Sequence, residues 1–204
     1  MEKHIIRPAK PRDLDFAKDM MIEAGHGLIE RFYGSGSEKT ARKVIEHLWT
    51  GNPNRLHFKN CHVLEVNKQK LGFLSSYPVG TSKFSSIAVM RVFKAGGFKL
   101  FFRYITRLRE LKRALTIPEG MKGEYYIFTV AAPEEARGKG IGSKLMQLAI
   151  DQAKSLGMSK VSLVVTKDND GAIKLYERLG FVIDTSKKGQ HNLVVRMVLD
   201  ISNR

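Results

Sequence analysis

Apolar positions along this chain follow two spacings, and the switches between them mark the elements. Tyr125-Tyr126-Ile127-Phe128-Thr129-Val130 is a run of strand length, and residues 144–155 follow it as a helix. The pair recurs at once: Val161-Ser162-Leu163-Val164-Val165 predicts a strand, and Ala172, Ile173, Leu175, Tyr176 and Leu179 line one side of a helix. Nearer the start, residues 4–7 read as a short strand and residues 8–13 as a turn. A helix follows, with Leu14, Phe16, Ala17, Met20, Met21 and Ala24 at helical spacing and Asp13 placed to cap it. Gly34-Ser35-Gly36-Ser37 breaks the chain, and Ser37 can cap a second helix over residues 38–49. After Gly51-Asn52-Pro53-Asn54, residues 61–66 and 70–76 read as a hairpin turned at Asn67-Lys68-Gln69. Residues 181–184 and 193–198 flank a polar turn at 187–190 and predict another. Strands mixed with helices in this way predict an α/β fold.

The stretch between the run at 125–130 and its helix is Ala136-Arg137-Gly138-Lys139-Gly140-Ile141-Gly142-Ser143. Three glycines at alternate positions let the backbone bend sharply and present bare N–H groups. A helix beginning there puts those groups at the positive end of its dipole, which suits an anion such as a pyrophosphate. Arg137 and Lys139 add charge at the rim. The spacing is neither that of a P-loop nor that of the dinucleotide fingerprint, whose third glycine falls one residue later.

About thirty residues on, Asn169-Asp170-Gly171-Ala172-Ile173-Lys174-Leu175-Tyr176-Glu177-Arg178-Leu179-Gly180-Phe181 matches every position of Asn-x-x-Ala-x-x-Leu-Tyr-x-x-x-Gly-Phe. This block resembles motif B of the GNAT acetyltransferases. The glycine turn resembles motif A of the same family, Arg/Gln-x-x-Gly-x-Gly/Ala, with Arg137, Gly140 and Gly142 in register. The motif-bearing resemblance covers roughly residues 124–198; upstream it is a matter of strand and helix order.

The resemblance implies a mixed, mostly antiparallel sheet of six or seven strands, splayed near its middle, with helices on both faces. It implies one domain over residues 1–204 and an acetyl-CoA-dependent N-acetyltransferase, with acetyl-CoA as cosubstrate. Its pyrophosphate would lie on the amides of Gly138, Lys139, Gly140, Ile141, Gly142 and Ser143, beside Arg137 and Asn169. Its pantetheine arm would lie along the backbone near Phe128, Val130 and Ala132. The first helices usually wall the acceptor site in the family, which draws attention to His26, Glu30, Tyr33 and Trp49.

Acetyl transfer from a thioester to an amine requires an amine free of its proton, a stabilised carbonyl oxygen and a protonated leaving thiol. An alkylamine has a pKa near ~10.4 and a thiol one of about 8.5. Tyr176 occupies the family position that donates a proton to the thiolate; its local spacing equally suits a packed core tyrosine. Glu124 resembles the position where some relatives keep a glutamate base, and equally suits a charge at a strand edge, with water as the base.

The net charge of +15 attracts polyanions. Nine lysines and arginines against two acids fall between Thr81 and Gly120. This lies within a forty-residue insertion, at about 81–123, into the family pattern. Phe98, Phe101, Phe102, Ile105, Leu108, Leu111 and Leu115 follow helical spacing there, and Lys99, Arg103 and Arg107 form a basic stripe. A solvated helix face, a lid, a dimer contact and a polyanion-binding surface all fit that pattern. A CoA- or nucleic-acid-binding module without catalysis is therefore the alternative reading. The basic balance mildly favours an acidic acceptor, whether small molecule or peptide, and dimers are common in the family. One cysteine, Cys61, fits a small strand residue in a reducing compartment. No apolar run reaches the about 18 residues of a membrane span, and residues 1–8 carry no secretion signal, so a cytoplasmic protein is expected.

Overall fold

The computed structural model describes residues 4–34, 36–51, 54–80, 120–186 and 192–202. Its elements run β1 (His4–Pro8), α1 (Leu14–Gly25), α2 (Leu28–Tyr33), α3 (Glu38–Trp49), β2 (Cys61–Val66), β3 (Gln69–Pro78), β4 (Tyr125–Ala131), α4 (Ile141–Ser155), β5 (Lys160–Thr166), α5 (Asp170–Arg178), β6 (Val182–Ile183) and β7 (Val194–Asp200). The strands form one sheet in the order β1-β2-β3-β4-β5-β7-β6. Neighbours are antiparallel except β4 and β5, which are parallel. The expected α/β class and mostly antiparallel sheet are what the chain forms.

Both faces of the sheet are covered. Alternation in β2 sends Cys61 and Val63 towards α1 and α3, and Leu64 and Val66 towards α4. On α4, Leu145, Met146, Ala149, Ile150 and Ala153 make one buried stripe. Each fully buried Leu or Met there contributes roughly 1.5–3 kcal/mol. Ser37 caps α3 as expected, accepting from the Thr40 N–H at 3.3 Å.

Several expectations change. Asp13 starts α1 without capping it: its buried carboxylate instead takes both terminal nitrogens of Arg7 (2.8 and 3.1 Å), Lys70 Nζ (2.8 Å) and the Lys10 amide (2.8 Å). Trp49 is no acceptor contact, because it is fully buried with its indole N–H on the Pro11 carbonyl at 3.0 Å. A short helix, α2, that the hydrophobic pattern left unassigned follows α1, which ends on two left-handed residues, His26 (φ 44°) and Gly27 (φ 80°). Cys61 is buried, and burial pushes its thiol up to about 12, as suits a packing residue. Of the predicted basic insertion, residues 81–119 lie outside the described residues, as does the turn at 187–190. No helix among the described residues is long and apolar enough to cross a membrane.

Candidate active site

Strands β4 and β5 pair only at Tyr125, Tyr126 and Ile127, against Val161, Ser162 and Leu163. Beyond Ile127 they part. Phe128 is the extra residue of a bulge, since Ser76 faces Ile127 while Ser75 faces Thr129. From Thr129 to Ala131, β4 keeps its β3 partner and has none on the β5 side, so its backbone lines an open wedge. This is the predicted splay. The Phe128 side chain packs towards α1 and α3 and those of Val130 and Ala132 towards α4, which leaves their main-chain groups for a ligand.

Beyond this wall the chain reaches the glycine turn. Gly138 (φ 75°) and Gly140 (φ 74°) have left-handed backbones, the requirement that glycine meets without strain. The first helical bond of α4 runs from the Lys144 N–H to the Gly140 carbonyl at 3.1 Å. Earlier amides through Ser143 therefore have no intrahelical partner, and no side chain caps the helix. Arg137, Gly138, Lys139 and Gly140 are exposed. Ile141 and Gly142 combine two duties: the Ile141 side chain is buried in the core, and a Cβ on Gly142 would lie 3.2 Å from Leu175 Cδ2. Only their backbones can serve a ligand.

The second motif closes the other side. Asn169 Oδ1 accepts the Ala172 amide at 3.1 Å and so caps α5, while its Nδ2 meets His26 Nε2 at 3.3 Å. Tyr176 is 7% exposed, its ring 6.1 Å from that of Phe181. Burial pushes its phenol up to about 12. Its hydroxyl has no hydrogen-bond partner among the described residues.

Glu124 is buried at the start of β4, at the paired end of the wedge. Its carboxylate takes Arg196 Nη2 and the Met121 amide (2.8 Å), and Arg196 Nη1 reaches Asp184 at 2.5 Å. Burial pushes Glu124 up, but the guanidinium and the amide together hold it below the ordinary carboxylate value. A carboxylate so held suits anchoring better than proton abstraction. Sequence reasoning missed Arg196 and Asp184; the signal was a lone charge within the apolar run 193–198, which needs a buried partner. It also missed Glu23, which pairs with Arg137. No group of three metal-ligating side chains occurs among the described residues.

An open backbone edge ending on bare helix-start amides is shaped for an extended ligand with an anionic end. Comparison with known proteins agrees. The model of the acetyltransferase (GNAT) family matches residues 26–181. A mycothiol acetyltransferase of Corynebacterium aurimucosum is 44% identical over 61 residues, 30% of this chain and 19% of its own. The N-alpha-acetyltransferase 30 of Schizosaccharomyces pombe is 43% identical over 56 residues, 28% of this chain and 37% of its own. The matched segment thus spans only a fifth to about a third of these curated relatives. Among solved structures, an N-acetyltransferase from Staphylococcus aureus superposes with a TM-score of 0.61 at 25% identity, over 96% of this chain and all of that one. An N-acetyltransferase of Thermoplasma acidophilum, solved with coenzyme A, shares the fold at a TM-score of 0.53 and 13% identity, over 97% and 99% of the two chains. A family match over most of the chain, on a sheet that parts where both motifs meet, makes this protein a member of the GNAT acetyltransferase family.

Proposed function

We propose that the whole chain acts as one N-acetyltransferase domain, moving an acetyl group from acetyl-CoA to a primary amine by direct attack within a ternary complex. The observation that carries this reading is the wedge between β4 and β5, ending on the open amides before Lys144. Those amides, with Arg137, Lys139 and Asn169, would hold the pyrophosphate end; the backbone of Phe128, Val130 and Ala132 would hold the arm. Acetyl-CoA supplies the activated acetyl thioester.

The residues then divide the work. Tyr176 keeps its proton through neutral pH and offers Oη–H to the departing sulfur. A phenol near 12 shares a hydrogen bond with a thiolate of pKa about 8.5 rather than surrendering its proton. The net proton comes from the acceptor ammonium, through water, since Glu124 is engaged by Arg196. The relatives are named for mycothiol and for N-alpha acetylation, so an acceptor screen begins with small-molecule amines and peptide N-termini. The alternative, a CoA- or nucleic-acid-binding module without catalysis, rests on residues 81–119, and the phenol without a partner favours the enzyme.

Calorimetric titration with acetyl-CoA, followed by amine-dependent release of free thiol, tests the reading. Micromolar binding that weakens in Arg137→Ala/Lys139→Ala, together with amine-dependent release, supports it. A folded protein that binds no acetyl-CoA overturns it.

A further inference from the structure

The corner between α1 and α2 touches the wedge at two points. Glu23, in the last turn of α1, pairs with Arg137, which follows β4. His26, just past α1, meets Asn169, which follows β5, at 3.3 Å. The two contacts therefore bridge the two rims of the parted strands. His26 holds a left-handed backbone that glycine would adopt more readily, so packing fixes the corner there. Among the described residues, Glu23 is the one side chain that pairs with Arg137.

A guanidinium presents the same fork to a carboxylate and to a phosphate. We propose that the Glu23 carboxylate occupies, at Arg137, the place of a cofactor phosphate, and that cofactor binding exchanges one anion for the other. This rests on the acetyl-CoA reading. The pair suits exchange: Arg137 is 59% and Glu23 42% exposed, and an exposed ion pair is weak enough for a more highly charged phosphate to displace. Displacement removes one of the corner's two polar contacts with the rims and leaves the one made by His26.

The test is calorimetry with coenzyme A on the wild type, Glu23→Gln, Arg137→Gln and the double variant, at low and at physiological salt. Glu23→Gln is expected to bind roughly 3- to 10-fold more tightly at low salt, with the gain shrinking as salt rises and vanishing beside Arg137→Gln. Wild-type binding with an unchanged or weakened Glu23→Gln overturns the exchange and leaves the acetyl-CoA reading intact. A gain that persists in the double variant also overturns it, because it then reflects general charge. Absence of binding by every folded variant overturns both, since no phosphate displaces Glu23.

Discussion

Arg196 and Glu124 stand 72 positions apart in the chain and meet as a buried ion pair, their side chains 2% and 9% exposed. The pair ties β7 to the start of β4, at the end of the wedge where β4 and β5 remain joined. Asp184 takes the other terminal nitrogen of Arg196, so the guanidinium lies between two carboxylates. A cluster arranged this way holds the sheet together just below the place where it opens.

Glu124→Gln is therefore expected to cost stability rather than catalysis. Gln keeps a hydrogen bond and Asp184 still neutralises Arg196, which reduces the loss to about 2 kcal/mol at pH 7 in urea unfolding. The folded-state pKa of Glu124 lies below its ordinary value, so its contribution is full above the unfolded value near ~4.3. It is lost as pH falls through the lower, folded value, and the gap between wild type and variant closes there. Turnover per folded molecule stays within about threefold; a drop of about 10²-fold or more at unchanged stability would restore the base role.

Tyr176→Phe should do the reverse. The hydroxyl has no hydrogen bond to lose, and the ring keeps its packing on Phe181, so the melting temperature is expected to hold. Acetyl transfer falls about 10²-fold, the loss expected for one hydrogen-bond donor to developing charge, while the Kd for acetyl-CoA is unchanged. An unaltered rate removes Tyr176 from the mechanism.

Asp13 offers a test far from the chemistry. Its carboxylate is fully buried, and burial alone would raise its pKa; Arg7, Lys70 and the Lys10 amide hold it well below the usual range. Asp13→Asn leaves Lys70 free to reach water and Arg7 still paired with Glu65 at 2.5 Å, so the loss is about 3 kcal/mol, the lower end for a broken buried pair. Because the folded pKa is depressed, the difference is full above the unfolded value near ~3.9 and fades as pH falls through the folded one. Chemical denaturation at pH 7 and at pH 3 checks both halves; equal losses at the two pH values would contradict the network.

What the sequence discloses and what it hides follow from the range of the forces. Gly138 and Gly140 were legible because a left-handed backbone is a local demand, met by few residues. The Asn169 cap and the helix over residues 144–155 were legible for a similar reason: a helix sets its requirements within its own few turns. Asp13 was misread because it has a plausible local duty as a cap, and the partners of Glu124 stayed hidden beside its plausible duty as a base, because in both cases the partners come from elsewhere in the chain. The Glu23–Arg137 pair spans 114 positions, and no local pattern announces it. The end of α1 at Gly25-His26-Gly27 was marked by its glycines; the brief α2 beyond them depends on packing against α1 and α3 rather than on propensity.

The last expectation concerns how the sheet places the glycine turn. Gly72 lies in β3 directly beneath the start of α4, where an added Cβ would meet Ile141 Cγ2 at 2.6 Å, Leu145 Cδ1 at 3.0 Å and Leu64 Cβ at 3.1 Å. These neighbours are buried, so Gly72→Ala overpacks the core at a cost of about 1–3 kcal/mol. For a chain of this size a loss of about 2 kcal/mol lowers Tm by about 4–8 °C. Ile141 is also the first residue of α4, so whatever moves its side chain moves the amides beside it. Gly72→Ala is thus expected to weaken acetyl-CoA binding about tenfold although residue 72 touches no ligand group, because small misplacements at a preorganised site are costly. Gly142→Ala is the matched control within the turn. Its Cβ meets only the flexible tip of Leu175 at 3.2 Å, and it gains up to ~1 kcal/mol of helix propensity, so both stability and affinity should stay near the wild type. If Gly72→Ala melts early yet binds acetyl-CoA as tightly as the wild type, the turn is positioned by its own backbone and not by the sheet beneath it.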